Sequence, residues 1–291
     1  SNTISPLPPR DAESHKGTYG RALLVGGSRG MAGSISLSGM AALVGGAGLV
    51  TVATPAGCQP TVAALEPAYT TLPLAEDATG RIAYHARSHI AELLPQCQAA
   101  GVGPGFGTGN SQRHLVDWLY TSAKQPLVVD ADALNCLAGR PAALASPGGP
   151  RVLTPHPGEF RRLPGNAELP AAEFGRRAED LAREWNCVLV VKGHRTLITD
   201  GCRSVRNTSG NPGMATGGTG DVLTGLITAL LAQGLTSFEA AQLGVYVHGL
   251  AGDLAAAALG QTSLTAGDLL DYLPAAFQRV QRGEAESSET N

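Results

Sequence analysis

Apolar residues recur along the chain in short blocks, most of which break off into glycine, aspartate, proline or histidine. RALLVGG at residues 21–27 reads as a buried strand, and residues 34–43 as a helix of small side chains. GLVTVATP (48–55), AAGVGPG (99–105), PLVVDADALN (126–135), RVLTPHPGEF (151–160) and CVLVVKG (187–193) continue the series. Near-continuous apolar runs of this length suit parallel strands covered on both faces. Ligands bind beyond the carboxyl ends of such strands, and the polar residues of these blocks collect there.

The pattern changes after Lys192. RTLIT and CRSVR flank Asp200 and Gly201, a pair suited to a type I′ turn, so a local antiparallel hairpin is expected. Val222, Leu223, Leu226, Ile227, Leu230 and Leu231 then repeat at helical spacing, and residues 239–259 form a second, alanine-rich helix. The tail GEAESSETN has nothing to bury and is expected to be disordered. The expected division is an extension over residues 1–14, one α/β domain over 15–281 and the tail over 282–291.

With 4% aromatics and 38 glycines, the core must be built from Ala, Val, Leu and Ile with close backbone approaches. A net charge of -3 without a dense basic run argues against nucleic acid as a partner. A small anion held by backbone amides stays compatible with it. Cys58, Cys97, Cys136, Cys187 and Cys202 are scattered and odd in number, which fits a reducing cytoplasm. No apolar run suggests a signal peptide or a membrane span, although a chain that starts Ser-Asn can be a fragment or carry a cloning remnant.

The strongest chemical signal is NPGMATGGTGDVL at residues 211–223. Gly217, Gly218, Thr219 and Gly220 let a backbone approach a phosphate at a helix N-terminus, forming an anion hole, and Asp221 follows as a candidate base. The alternative is that Asp221 only caps the helix. Lys192, Gly193, His194, Arg195 and Thr196 set cations and a hydroxyl at a strand exit, suited to nucleotide phosphates or to a solvated turn. His156 lies between Pro155 and Pro157, a stiff loop that suits either a ring aimed at a ligand or an exposed loop residue. Glu159 reads as a helix N-terminal residue, Asp132 as the cap of the helix ALNCLAG, and Asp130 stays open between ligand and structure. GGSRGMAG (26–33) and GPGFG (103–107) offer further amides, but the first lacks the G-x-G-x-x-G spacing and the next strand lacks a ribose acid, against an ordinary dinucleotide fingerprint.

Taken in order, HKGTYGRALLVGGS, GAGLVTVATP, GPGFG, DADALN, TPHPGE and NPGMATGGTGDVLTG resemble the ADP-dependent NAD(P)H-hydrate dehydratases of the ribokinase-like superfamily, over residues 15–271. The resemblance implies a three-layer α/β/α sandwich with a mostly parallel sheet and a local antiparallel hairpin. It implies conversion of hydrated NADH or NADPH, (6S)-NADHX or NADPHX, back to the reduced cofactor, with ADP consumed and AMP and phosphate released. Asp221 matches the catalytic base. Ala42, Gly105, His156 and Asp221 match contacts to the hydrate, and Lys192, Gly193, His194, Arg195, Thr196 and Gly220 contacts to the nucleotide. Magnesium is implied on the diphosphate, its protein ligands unknown. Many relatives carry an epimerase domain as well, for which this chain has no room, so dependence on a separate epimerase or on spontaneous epimerisation is expected unless the chain is a fragment of a bifunctional protein. The family also resembles tetramers. Two rivals remain at this stage: a small-molecule kinase on the same fold, and a nucleotide-binding regulatory module in which nothing reacts.

Overall fold

A computed structural model describes Ile4 and residues 6–284. Nine strands form one sheet: β1 (Arg21–Val25), β2 (Leu49–Pro55), β3 (Thr70–Leu74), β4 (Ala99–Val102), β5 (Leu127–Val129), β6 (Arg151–Leu153), β7 (Val188–Val191), β8 (Leu197–Thr199) and β9 (Ser204–Arg206). Their spatial order is β3-β2-β1-β4-β5-β6-β7-β8-β9. β1 to β7 pair in parallel, and β8 and β9 close the far edge as an antiparallel hairpin. The expected layered fold, mostly parallel with a hairpin, is therefore present. Only β3 falls outside the expected blocks. It is an edge strand in which Leu74 alone is buried, and Pro73 is tolerated because one side needs no ladder.

Alternation along each strand divides the interior into two layers. Ala22, Leu24, Val128, Val188 and Val190 face one core with the helices Ala32–Val44, Thr219–Ala232, Ser237–Leu259 and Ala266–Gln281. Leu23, Val25, Leu127, Val129, Leu189 and Val191 face the other, covered by Arg87–Leu93, Asn110–Ser122, Ala131–Leu137 and Phe174–Glu184. In the first layer the Ala32–Val44 and Thr219–Ala232 helices nearly touch. A Cβ at Gly225 would lie 1.9 Å from the Ser38 carbonyl oxygen, so a side chain there would force the helices apart. Ser38 uses that proximity to donate to the Asp221 carbonyl oxygen at 2.7 Å.

Two local expectations change. In the hairpin the Asp200 amide donates to the Arg203 carbonyl, which makes Gly201 and Cys202 the central turn residues. Only Gly201 of the two has a positive φ (84°), the pattern of a type II′ rather than a type I′ turn. Asp200 instead folds the turn through its carboxylate, which accepts the amides of Cys202 and Arg203. Asp132 is not the cap of its helix: Asp130 holds that place, and Asp132, in the first turn, accepts the Gly107 amide at 2.8 Å. At the N-terminus, Ile4 and Leu7 pack against the first core. The tail expected to be disordered lies, from residue 285 onward, outside the described residues. No helix among the described residues is long and apolar enough to cross a membrane.

Candidate active site

The exits of β5, β6 and β7 and the segment leading into the Thr219–Ala232 helix enclose a cavity of about 850 Å³. Gly218 is that helix's N-cap, with φ at 90°, a left-handed conformation that favours glycine. Having no side chain, it leaves the first-turn amides of the helix without a cap, and they carry the positive end of the helix dipole. Gly217, Thr219 and Gly220 line the cavity; Gly218 does not, because its Cα faces Leu37 and Ala266. The loop is braced from within, the Thr219 hydroxyl donating to the carbonyls of Met214 and Thr216.

Asp221 lies in the same first turn and lines the cavity. Burial raises its pKa to about 7, and the Asp130 charge adds to the rise. A hydrogen bond from Ser34 and the Lys192 charge offset only part of it. Asp130, at the exit of β5, is treated in the opposite way. Its burial would also raise the pKa, but Lys192 Nζ lies 2.9 Å from Oδ1, and the hydroxyls of Thr154 and Thr224 donate at 2.8 and 2.7 Å. Together these partners hold Asp130 ionised, below the usual carboxylate range. Lys192 is itself largely desolvated, which works against its charge, but Asp130 and Glu159 raise its pKa and keep it an ammonium. A Cβ built on Gly220 would lie 3.4 Å from Lys192 Nζ, so the absence of a side chain there opens the glycine loop onto the ammonium.

His156 caps the Pro157–Arg162 helix: Nδ1 accepts the amides of Gly158 and Glu159, while Glu159 accepts the His156 amide in return. With Nδ1 an acceptor, the ring hydrogen sits on Nε2. Burial and the nearby charges of Lys192 and Arg162 lower the His156 pKa, keeping the ring neutral. The capping role does not remove it from the site, since both His156 and Glu159 line the cavity. Gly193, His194 and Arg195 form an exposed lip of the cavity with the half-buried Thr196, and Arg195 stands in the left-handed region at φ 57°, a strain that recurs at ligand-binding sites.

Two predicted contacts lie elsewhere. Ala42 is fully buried in the Ala32–Val44 helix and has no surface to offer a ligand. Gly105 is at the exit of β4 against Met31 and Ser34, outside the cavity but in the crevice where the strand order reverses between β1 and β4. Asp221 is the link between the two places, because Ser34, which donates to its carboxyl, follows the loop leaving β1. Other residues of the site are absent from the sequence-based expectations. Thr154 and Thr224 stand within TPHPGE and NPGMATGGTGDVLTG, but a role for either hydroxyl emerges only from Asp130, to which both donate. His248 lines the cavity and donates from Nε2 to the Thr219 carbonyl at 2.8 Å; burial lowers its pKa to about 4, so it is neutral. A lone histidine within the apolar run GVYVHGL was the available signal. Asn207, Ser209 and Asn211 complete the wall.

This geometry has close relatives. The chain resembles the bifunctional NAD(P)H-hydrate repair enzyme of Moorella thermoacetica, at 46% identity over 95% of this chain and 53% of the relative. It thus spans about half the length of the bifunctional relatives it matches. The ADP-dependent (S)-NAD(P)H-hydrate dehydratase of Bacillus subtilis is 36% identical, with 94% of this chain and 95% of that protein covered. A solved Bacillus subtilis ADP/ATP-dependent NAD(P)H-hydrate dehydratase, co-crystallised with ATP and Mg2+, superposes with a TM-score of 0.77 at 32% identity, covering 94% of this chain and 95% of that one. Ribokinase from Thermotoga maritima, at a TM-score of 0.55 and 12% identity over 88% of this chain and 99% of that one, shares the fold alone. The model of the NAD(P)H-hydrate dehydratase family matches residues 22–275, and this chain belongs to that family.

Proposed function

We propose that this chain dehydrates the (6S) hydrates of NADH and NADPH at the expense of ADP, releasing AMP and phosphate. The observation that carries the proposal is Asp221, a carboxylate poised near neutrality beside unpaired helix amides and above the Lys192 ammonium. ADP occupies the cavity, its phosphates against the amides of Gly217, Thr219 and Gly220 and the charges of Lys192 and Arg195, with His194 and Thr196 along the lip. The hydrated nicotinamide enters from the β1–β4 crevice past Gly105, with His156 on the far side. Asp221, between the two, takes the proton of the ring hydroxyl as its oxygen attacks the terminal phosphorus of ADP. The bond from that phosphorus to the bridging oxygen breaks and AMP leaves, the amides stabilising the charge that develops. The ring carbon–oxygen bond of the phosphorylated hydrate then breaks, pushed by the lone pair of the neighbouring ring nitrogen. Phosphate departs, and loss of a proton from the adjacent ring carbon restores the dihydronicotinamide.

No group of three or more His, Cys, Asp or Glu among the described residues could hold a metal ion. Both oxygens of Asp130 are already engaged by Lys192, Thr154 and Thr224. Glu159 is likewise engaged, by the His156 amide and beside Lys192, so magnesium would arrive on the diphosphate, where it would supply charge neutralisation. A kinase reading shares the transfer step. Hydrated NADH incubated with the protein and ADP, and separately with ATP, separates the two. Return of the reduced-nicotinamide absorbance with stoichiometric phosphate supports dehydration. A stable phosphorylated product, or no return with either nucleotide, overturns it. A functional link to an NAD(P)H-hydrate epimerase follows from the same reading, supported by the bifunctional relatives. Assembly into oligomers and a cytoplasmic location remain part of this proposal.

A further inference from the structure

One face of the Ser237–Leu259 helix is occupied by the wall of the cavity. The Ser209 hydroxyl donates to the Tyr246 carbonyl at 2.8 Å. One turn on, a Cβ at Gly249 would lie 2.2 Å from Ser209 Oγ, and a Cβ at Gly252 would lie 2.3 Å from Met214 Sδ, so both positions admit the wall only by lacking side chains. At the end of this row stands Asp253, which does not border the cavity. Its Oδ2 accepts the Gly210 amide at 2.8 Å and its Oδ1 accepts Asn211 Nδ2 at 2.9 Å. Asn211 passes the constraint on, its Oδ1 accepting the Gly213 amide at 3.0 Å and capping the short turn Pro212–Met214. The Met214 carbonyl in turn accepts the Thr219 hydroxyl. A hydrogen-bonded chain thus runs from Asp253 to the first residue of the helix that cradles phosphate.

We propose that Asp253 is a positioning residue that sets the nucleotide wall, residues 207–217, and hence the affinity of the site for ADP. The proposal rests on the reading of the cavity as the ADP site. Asp221 has supports of its own that bypass Asp253: Ser38 holds its carbonyl, and His248 holds the carbonyl of Thr219. Asp253 therefore acts on nucleotide binding and leaves the chemical step alone. An asparagine in its place keeps the shape and one acceptor. If its oxygen takes the Gly210 amide, its NH2 faces the NH2 of Asn211. Turning Asn211 over to relieve that clash loses the bond to Gly213.

The test is calorimetric titration with MgADP, with KM for ADP and kcat measured on hydrated NADH, for wild type, Asp253→Ala and Asp253→Asn. Expected is a loss of ADP affinity of about 10-fold or more for Asp253→Ala, the scale of two lost bonds to a charged acceptor. Asp253→Asn should fall between the two. KM for ADP should rise in step while kcat at saturating ADP stays within about 3-fold, a split that general loss of stability does not produce. Should Asp253→Ala fail to fold, Asp253→Asn decides alone, with a several-fold loss expected. Unchanged ADP affinity in a folded variant, or a kcat loss with KM intact, overturns the positioning role. The dehydratase reading fails separately if wild type binds ADP but returns no reduced nicotinamide. A wild-type chain that does not bind ADP overturns both.

Discussion

Of the carboxylates lining the cavity, Asp130 and Asp221 are treated in opposite ways. Asp130, at the exit of β5, is almost wholly buried yet held ionised by an ammonium and two hydroxyls. Asp221, in the first turn of the Thr219–Ala232 helix, is less buried, has no cation paired to it, and has its pKa raised to about 7. Partners, more than depth, decide which acid is fixed in charge and which can exchange a proton. The two are also coupled: Asp130 raises the pKa of Asp221 and Lys192 lowers it. The Asp130–Lys192 pair thus lies under the proposed phosphate site and also tunes the acid beside it.

The comparison is broken most severely by Asp221→Asn. Turnover should drop about 10²- to 10⁴-fold, the worth of a general base, while ADP titration shows affinity retained. Lys192→Met comes next. It leaves Asp130 buried without its cation, and chemical denaturation should show a loss of about 3–5 kcal/mol, where Asp221→Asn should show no loss. The coupling gives a sharper test by pH. Removing Lys192 should move the Asp221 pKa up, and Asp130→Asn should move it down, two opposite displacements of the rising limb of kcat/KM.

Stability follows from the sign of the same shift. The folded pKa of Asp221 lies above its ordinary value of 3.8, so the native state binds the proton more tightly than the unfolded state. The stabilising contribution is that of the protonated acid, complete below the unfolded pKa and lost as pH rises through about 7. Asp221→Asn, which cannot ionise, should therefore melt higher than wild type above neutrality and no higher in acid, with about 2–4 °C expected per kcal/mol of relief. The smallest effect is at Ala131, beside Asp130, where φ is 50°. Ala131→Gly should raise stability by up to about 1 kcal/mol, read from the denaturation midpoint, because glycine adopts that conformation without a Cβ clash.

Much of the fold was legible because the parallel strands are buried on both faces and read as apolar blocks. β3 was not, since an edge strand with one buried residue leaves no block. The glycine loop and Asp221 announced themselves by local sequence. The Asp130 triangle did not, because Lys192 and Thr224 lie 62 and 94 residues away along the chain, and only the packing of β5, β7 and the Thr219–Ala232 helix makes them neighbours. Asp132 was mistaken for a cap because Asp130 and Asp132 are alternative starts to one helix, and the register is set by the Gly107 amide that Asp132 accepts. Ala42, implied by the family resemblance, is fully buried in the Ala32–Val44 helix.

The claim that Asp221 is a base tuned by the Asp130–Lys192 pair is tested most directly by one profile. ADP-dependent return of reduced nicotinamide from its hydrate is followed from about pH 5 to about pH 9, in wild type and in Asp130→Asn. The account predicts a kcat/KM that rises through about pH 7 in wild type and at lower pH in the variant. A wild-type profile without a rising limb near neutrality, or a limb that Asp130→Asn leaves in place, contradicts it.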